Sequence, residues 1–339
     1  MPLKNEERSV FVEKIWIATG IVAFSLLMVW LFLEAFQIVL LSLAGALIAL
    51  YFHGLAGIVQ RKMGLSERVS LLLSVTVTLL FISLLLWLIG AQVQEQINQI
   101  VEDFPEMLEN AKNYLAGSQL GRSVLNQLDS EKMSANVSGF ASEFFRSGFG
   151  VLGDLYVVFF VSLFFTASPS LYRKGIITLV PKNGRERANQ IMMELSGNLR
   201  KWLKGKLLSM AVVFVLTAIG LAALSVPAWL ALALLAGLLS FIPNFGPLLS
   251  LLPALLVGLM QSPLLAGMIA GLYVLIQAVE SNLITPVIQQ KLVEVPPALI
   301  LLVQIVMGIL AGGWGVLLAT PVLVIVMILV KQLYLKQNQ

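Results

Sequence analysis

Long apolar runs and short polar intervals alternate along this chain. The runs cover Ile15 to Leu33, Ala35 to Phe52, Val69 to Gly90, Phe149 to Ala167, Leu207 to Val226 and Leu264 to Gln290, and two further apolar stretches begin at Val226 and Val295. Several approach or exceed the ~20 residues that a helix needs to cross a bilayer core. Two intervals are periodic instead. In residues 91–148, Val93, Ile97, Ile100, Val101, Phe104, Leu108 and Leu115 recur at three- and four-residue steps, which predicts a small helical insert divided at Pro105 and again at Gly117 and Gly121. Farther along, Ile191, Met192, Leu195, Leu199, Trp202 and Leu203 form an apolar stripe on a basic helix that opens with a capping box of Asn183 and Glu186. Such a helix is expected to lie on the membrane surface, its cations near anionic headgroups.

Composition turns this pattern into a class. Of 339 residues, 58% are hydrophobic and 12% charged, whereas a soluble domain carries about 25% charged residues. The chain is therefore expected to be an all-α polytopic integral membrane protein of about eight membrane segments, with lipid as its main solvent. The first run lacks a small-x-small cleavage site and is expected to be a retained span. No cysteine is present, which excludes disulfides, thiol nucleophiles and cysteine metal sites.

The net charge of +4 follows topology and gives no footprint for nucleic acid. The loop between Phe52 and Val69 carries Arg61, Lys62 and Arg68 against Glu67, while the expected turn near Glu34 has no basic residue. The 91–148 insert is net acidic, whereas residues 168–205 are strongly basic and the tail adds Lys331 and Lys336. Because cytoplasmic loops concentrate Lys and Arg, the insert is expected outside and both termini in the cytoplasm. The expected organisation is a three-span region at 1–90, the insert at 91–148, a fourth span at 149–167, the basic amphipathic segment at 168–205, and two related units at 206–262 and 263–335.

Those two units carry the functional signal. "VPAWLALALLAGLLSFIPNFGPLLSLLP" from Val226 and "VPPALILLVQIVMGILAGGWGVLLATP" from Val295 share a Val-Pro entry, a central aromatic-glycine break and a later proline. One full span precedes each copy, so if each stretch is a hairpin, the copies are inverted repeats of one span plus a re-entrant hairpin. Two short full spans per stretch would preserve all other orientations. Pro243 and Pro247 forbid continuous helix around Asn244, and Gly312, Gly313 and Gly315 mark the second break. Irregular backbone at membrane depth must face protein or a cavity, so Asn244 and Gly246 are candidates to meet a ligand.

Between the copies, Tyr273, Gln277 and Glu280 fall on one helical face. Glu280 lies eleven residues before Lys291, about 16 Å by helical rise and so near mid-membrane. A carboxylate there costs roughly 2.5–3.5 kcal/mol unless paired or protonated, which makes it the leading candidate for coupling or for a structural ion pair. Pro286 loosens the backbone behind it, so Asn282 and Thr285 could line the same cavity, with Gln304 facing it from the second stretch. Asp154, Glu34 and His53 fit interfacial positions.

The motifs "PNFGPLLSLLPA" (Pro243 to Ala254), "ESNLITP" (Glu280 to Pro286) and "GGWGVLLATP" (Gly312 to Pro321), in that order, resemble the autoinducer-2 exporter family of bacterial permeases. The resemblance extends over nearly the whole chain. It implies a bacterial inner-membrane permease of eight spans, a homo-oligomer with five copies as one size it allows, and links to export of the signalling furanone or to sodium or lithium exchange for protons.

An enzyme is not expected: there is no GxxxxGK[ST], no HExxH, and a single histidine. No metal or cofactor is implied. The leading expectation is a secondary transporter whose hairpins meet near the midplane and which couples export of a small polar solute to protons through Glu280. The alternatives are a sodium or lithium/proton antiporter and a non-transporting scaffold. The partners expected are membrane lipids, the solute or ion, and further copies of the chain.

Overall fold

The computed structural model describes residues 3–84, 153–284 and 296–335, with the single positions Trp87, Gly90, Glu95 and Pro286. The outer insert and its expected helices lie outside the described residues. Those that are described form helices joined by short turns, and no strand occurs among them. The helices are α1 (Leu3–Met63), α2 (Glu67–Leu84), α3 (Gly153–Ala167), α4 (Pro169–Thr178), α5 (Arg185–Ala223), α6 (Trp229–Leu239), α7 (Phe245–Gln261), α8 (Pro263–Val279) and α9 (Pro297–Val330). Short π-turns, Glu280–Ile284 and Lys331–Leu335, extend α8 and α9.

Five helices are long and apolar enough to cross a membrane among the described residues, or six if α3 and α4 count as one bent span. The multi-pass class stands, and the described residues show fewer candidate spans than eight for physical reasons. The runs Ile15 to Leu33 and Ala35 to Phe52 belong to one helix of 61 residues, about 90 Å long at 1.5 Å per residue. No glycine or proline separates them, so nothing breaks the helix near Glu34, and the expected outer turn is absent. Its N-terminus and the turn at Gly64 lie at opposite ends of a single rod, which does not fit two crossings. The arms α6 and α7 are shorter than a span.

The basic segment also differs from expectation. Gly184, not Asn183, is the N-cap of α5 and no side chain caps it, because Lys182–Gly184 form a 3-10 turn ahead of the helix. The amphipathic stretch then runs unbroken into the following span. Its stripe does not face lipid. Leu199, Trp202 and Leu203 pack with Leu40, Leu41, Ala44 and Leu47 of α1, Val158 of α3, and Met307, Leu318, Val324 and Ile328 of α9.

A second core gathers Val213 and Leu221 of α5, Leu232 and Ala236 of α6, Ala254 and Val257 of α7, and Leu265, Ile269, Tyr273 and Ile276 of α8. Helix α5 therefore joins two packed bodies, one through residues 199–203 and the other through 213–221. Gly220 lies against Leu272, where a Cβ would approach Leu272 Cδ1 to 2.4 Å. Because Ser209 meets Glu280 farther along, α5 and α8 run antiparallel.

Both predicted breaks are present. Helix α6 ends at Leu239 and α7 starts at Phe245, with Asn244 at φ +66° between them. Within α9, Ala311 and Gly312 leave helical geometry, Gly312 at φ +55°. Each turn depends on one buried glycine: a Cβ on Gly246 would stand 2.0 Å from the Leu239 carbonyl oxygen, and one on Gly315 would stand 1.9 Å from that of Met307. The two breaks share this device at the positions matched in the sequence.

Candidate functional site

Trp202, Lys206, Ser209 and Val213 recur at four- and three-residue steps along α5, so they share one face. Trp202 belongs to the first core and Val213 to the second. Lys206 and Ser209 lie at the seam between them.

The partner of this seam is Glu280, at the start of the π-turn that ends α8. Ser209 Oγ donates to Glu280 Oε1 at 2.6 Å, and Lys206 Nζ stands 3.7 Å from the same oxygen, with about a tenth of each charged side chain exposed (11% and 10%). A buried ion pair offsets its desolvation cost only when hydrogen bonds complete it, and Ser209 supplies one. Neither Lys206 nor Ser209 was expected at the site. Lys206 falls between the basic segment and the apolar run that starts at Leu207, so neither the loop charge nor the span pattern marks it. The legible signal was Lys-x-x-Ser, a cation and a hydroxyl one turn apart on one face at the entry to an apolar helix. This pairing also sets Glu280 beside the polar end of that run, rather than opposite its middle.

The face expected to carry Tyr273, Gln277 and Glu280 holds only in part. Tyr273 is buried, and its hydroxyl donates to the Ser250 carbonyl of α7 at 3.4 Å. Gln277 Nε2 reaches Ser281 Oγ at 3.1 Å. Asn282 is exposed and donates back to the Ala278 carbonyl at 2.8 Å. It does not join Glu280, because residues two apart point to opposite sides of a helix. Pro286 is helical and exposed, while Thr285 lies outside the described residues.

The first break stands next to this seam. Phe241 meets Trp202 edge to face at 5.7 Å, one turn along the same α5 face from Lys206. The Pro243 carbonyl accepts from Phe245 N at 2.8 Å and from Gln304 Nε2 at 2.9 Å. Gln304 is fully buried, and its Oε1 has no hydrogen-bond partner among the described residues. Asn244 is exposed and Gly246 buried.

The second break lies elsewhere. Trp314 Nε1 donates to Asp154 Oδ2 at 2.7 Å, tying the turn to the first residues of α3, while Gly312 and Gly313 are exposed. The two tips therefore do not meet. The first touches the α9 arm at Gln304, eight residues and about 12 Å of helical rise from Gly312. At the other end of α3, the Thr166 carbonyl lies 3.1 Å from His53 Nε2, so Asp154 and His53 have defined partners where only interfacial solvation was expected. Beyond the site, Arg187 donates to the Gln332 carbonyl at 2.6 Å and Glu194 accepts from the Gln332 side chain. These bonds fasten the end of α9 to α5.

This arrangement of charged seam and broken helices lies within a stretch that matches a family model. The model for AI-2E family transporters covers residues 20–335. The chain belongs to the AI-2E transporter family. Among curated proteins it is similar to "Putative transport protein YueF" of Bacillus subtilis (strain 168), 25% identical over 81% of this chain and 78% of the relative. It is also similar to "Putative transport protein YrrI" of the same organism, 28% identical over 48% of this chain and 46% of the relative. "Putative permease PerM" of Escherichia coli (strain K12) is 30% identical over 42% of this chain and 41% of the relative. The match thus spans less than half the length of YrrI and PerM. In this AI-2E family transporter the seam, the first break and the α9 arm all fall inside the matched region.

Proposed function

We propose that this AI-2E family transporter is a secondary active permease that exports a small polar solute such as autoinducer-2, with proton movement through Glu280 driving the cycle. The observation that carries this reading is the buried Glu280 carboxylate held by Lys206 and Ser209 where α5 links two separately packed bodies. A charge pair at such a seam is sensitive to relative movement of the bodies, because separating the partners leaves each charge buried and unpaired. Protonating the carboxylate removes its share of that penalty and weakens the hold of Lys206 on the seam. In this reading Asn244, Gly246, Gln304, Gln277 and Tyr273 border the solute path.

The architecture we propose is a pair of inverted units, α5 with the α6–α7 hairpin and α8 with the two arms of α9, supported by the shared glycine device at the two breaks. Loop charges favour a bacterial inner-membrane orientation with α4, the start of α5 and the tail in the cytoplasm. The unbroken α1 then carries the N-terminus to the other side. Assembly into a homo-oligomer belongs to the same proposal.

Flux in proteoliposomes under an imposed pH gradient tests the reading. Solute movement that follows the gradient and is lost in Glu280→Gln is the expected result. Sodium or lithium movement without solute flux would replace the exporter with an antiporter using the same carboxylate. No flux of any solute or cation would leave a scaffold.

A further inference from the structure

Helix α4 turns 90° from α3 at Ser168 and has no buried residue. At about 100° per residue, Leu171, Tyr172, Ile176 and Leu179 occupy about 140° of its circumference, and Arg173 and Lys174 lie outside that arc. Leu171 is 65%, Ile176 50% and Leu179 86% exposed. An apolar face this open would ordinarily pack down onto the protein.

Its geometry prevents that. Tyr172 stacks edge to face on Phe165 of α3 at 4.6 Å, fixing the elbow at the start of the helix. At the other end Arg185 donates through Nε to the Val180 carbonyl at 3.1 Å and through Nη2 to the Thr178 carbonyl at 3.2 Å, where a cation also complements the helix C-terminus. Held at both ends and perpendicular to the apolar helix α3, α4 has the orientation of a segment lying along a bilayer surface.

We propose that α4 is a lipid-binding helix, set into the leaflet at the Ala167 end of α3 through Leu171, Tyr172, Ile176 and Leu179, with Arg173 and Lys174 engaging anionic headgroups. The right-angle turn at Ser168 and the separation of Leu171, Tyr172, Ile176 and Leu179 from Arg173 and Lys174 around the helix each match that occupant. The surface role expected for the stripe at Ile191 to Leu203 passes to this shorter helix, because that stripe is consumed by the first core. Anionic lipid thereby gains a hold on the elbow that joins α3 to α5, the helix carrying Lys206 and Ser209.

The chain has no cysteine, so single-cysteine nitroxide labels test this directly in the full-length protein. Labels at Leu171→Cys, Ile176→Cys and Leu179→Cys, with Arg173→Cys on the other face, are compared in phosphatidylcholine vesicles with and without phosphatidylglycerol. The first three are expected to collide with oxygen and be shielded from a water-soluble nickel chelate, and the fourth to show the reverse. Phosphatidylglycerol is expected to deepen the contrast, and combined Arg173→Gln and Lys174→Gln to cancel that gain, up to about five-fold per cation. Chelate access at all three apolar positions would overturn the proposal. Shielding from both reagents would also overturn it, by showing that protein covers the face. No response to phosphatidylglycerol would remove the anionic-headgroup part.

Discussion

The Trp314 indole donates to the Asp154 carboxylate at 2.7 Å, across 160 residues of sequence, and this bond holds the second helix break against α3. A hydrogen bond to a charged group is worth about 1.5–3 kcal/mol. Trp314→Phe keeps most of the packing and loses the donor. It should lower thermal stability in detergent and speed thiol labelling at Gly313→Cys several-fold. Asp154→Ala should reproduce both effects, and unchanged labelling in both variants would mean that the turn is held by packing alone.

Lys206 and Glu280 should be strongly non-additive. Lys206→Met leaves a buried carboxylate without its cation, a class of change that costs about 3–5 kcal/mol. Adding Glu280→Gln removes the stranded charge, so the double variant should melt above Lys206→Met alone. Ser209→Ala should cost about 1.5–3 kcal/mol, since it strips a hydrogen bond from the same charged oxygen. Additive losses in a double-mutant cycle would show that the pair is not coupled.

Gln304 should control the first break. Gln304→Leu withdraws the side-chain donor from the Pro243 carbonyl, which still accepts from Phe245 N, for a loss of about 0.5–1.5 kcal/mol. It also deletes the unpartnered Oε1, which reduces the net effect. The position-specific readout is Asn244→Cys labelling, expected to accelerate in the Gln304→Leu background. Identical rates in both backgrounds would leave Gln304 a core residue with no hold on the turn.

Glycine substitutions should rank by what surrounds the missing Cβ. At Gly246 and Gly315 the added carbon would fall about 2 Å from a backbone carbonyl oxygen. Alanine at either position should therefore exceed the roughly 1–3 kcal/mol of ordinary overpacking and abolish stable folding. Gly312 has open space and only its φ of +55° to satisfy. With ψ at −138°, outside the left-handed helical region, Gly312→Ala should fold with about 1–3 kcal/mol of strain. Equal melting temperatures for the Gly312 and Gly315 variants would contradict this order.

Proline and glycine chemistry made both helix breaks legible from the sequence, because Pro243, Pro247 and Gly312 act locally on backbone geometry. Apolar run length made the membrane class legible for the same reason: it depends on composition and not on what the chain touches. Glu280 was visible as a charge in an apolar run. What covers each side chain was not visible. Lys206 and Glu280 are 74 positions apart, and no local rule joins them. The stripe Ile191 to Leu203 has one periodicity whether it faces lipid or α1, and only packing chose α1. Run length divides α1 at Glu34, but no glycine or proline stands there to break it, so the helix continues. Local backbone chemistry fixes where helices form and stop; which faces meet is a property of the whole packed chain, because burial is shared among segments far apart in sequence.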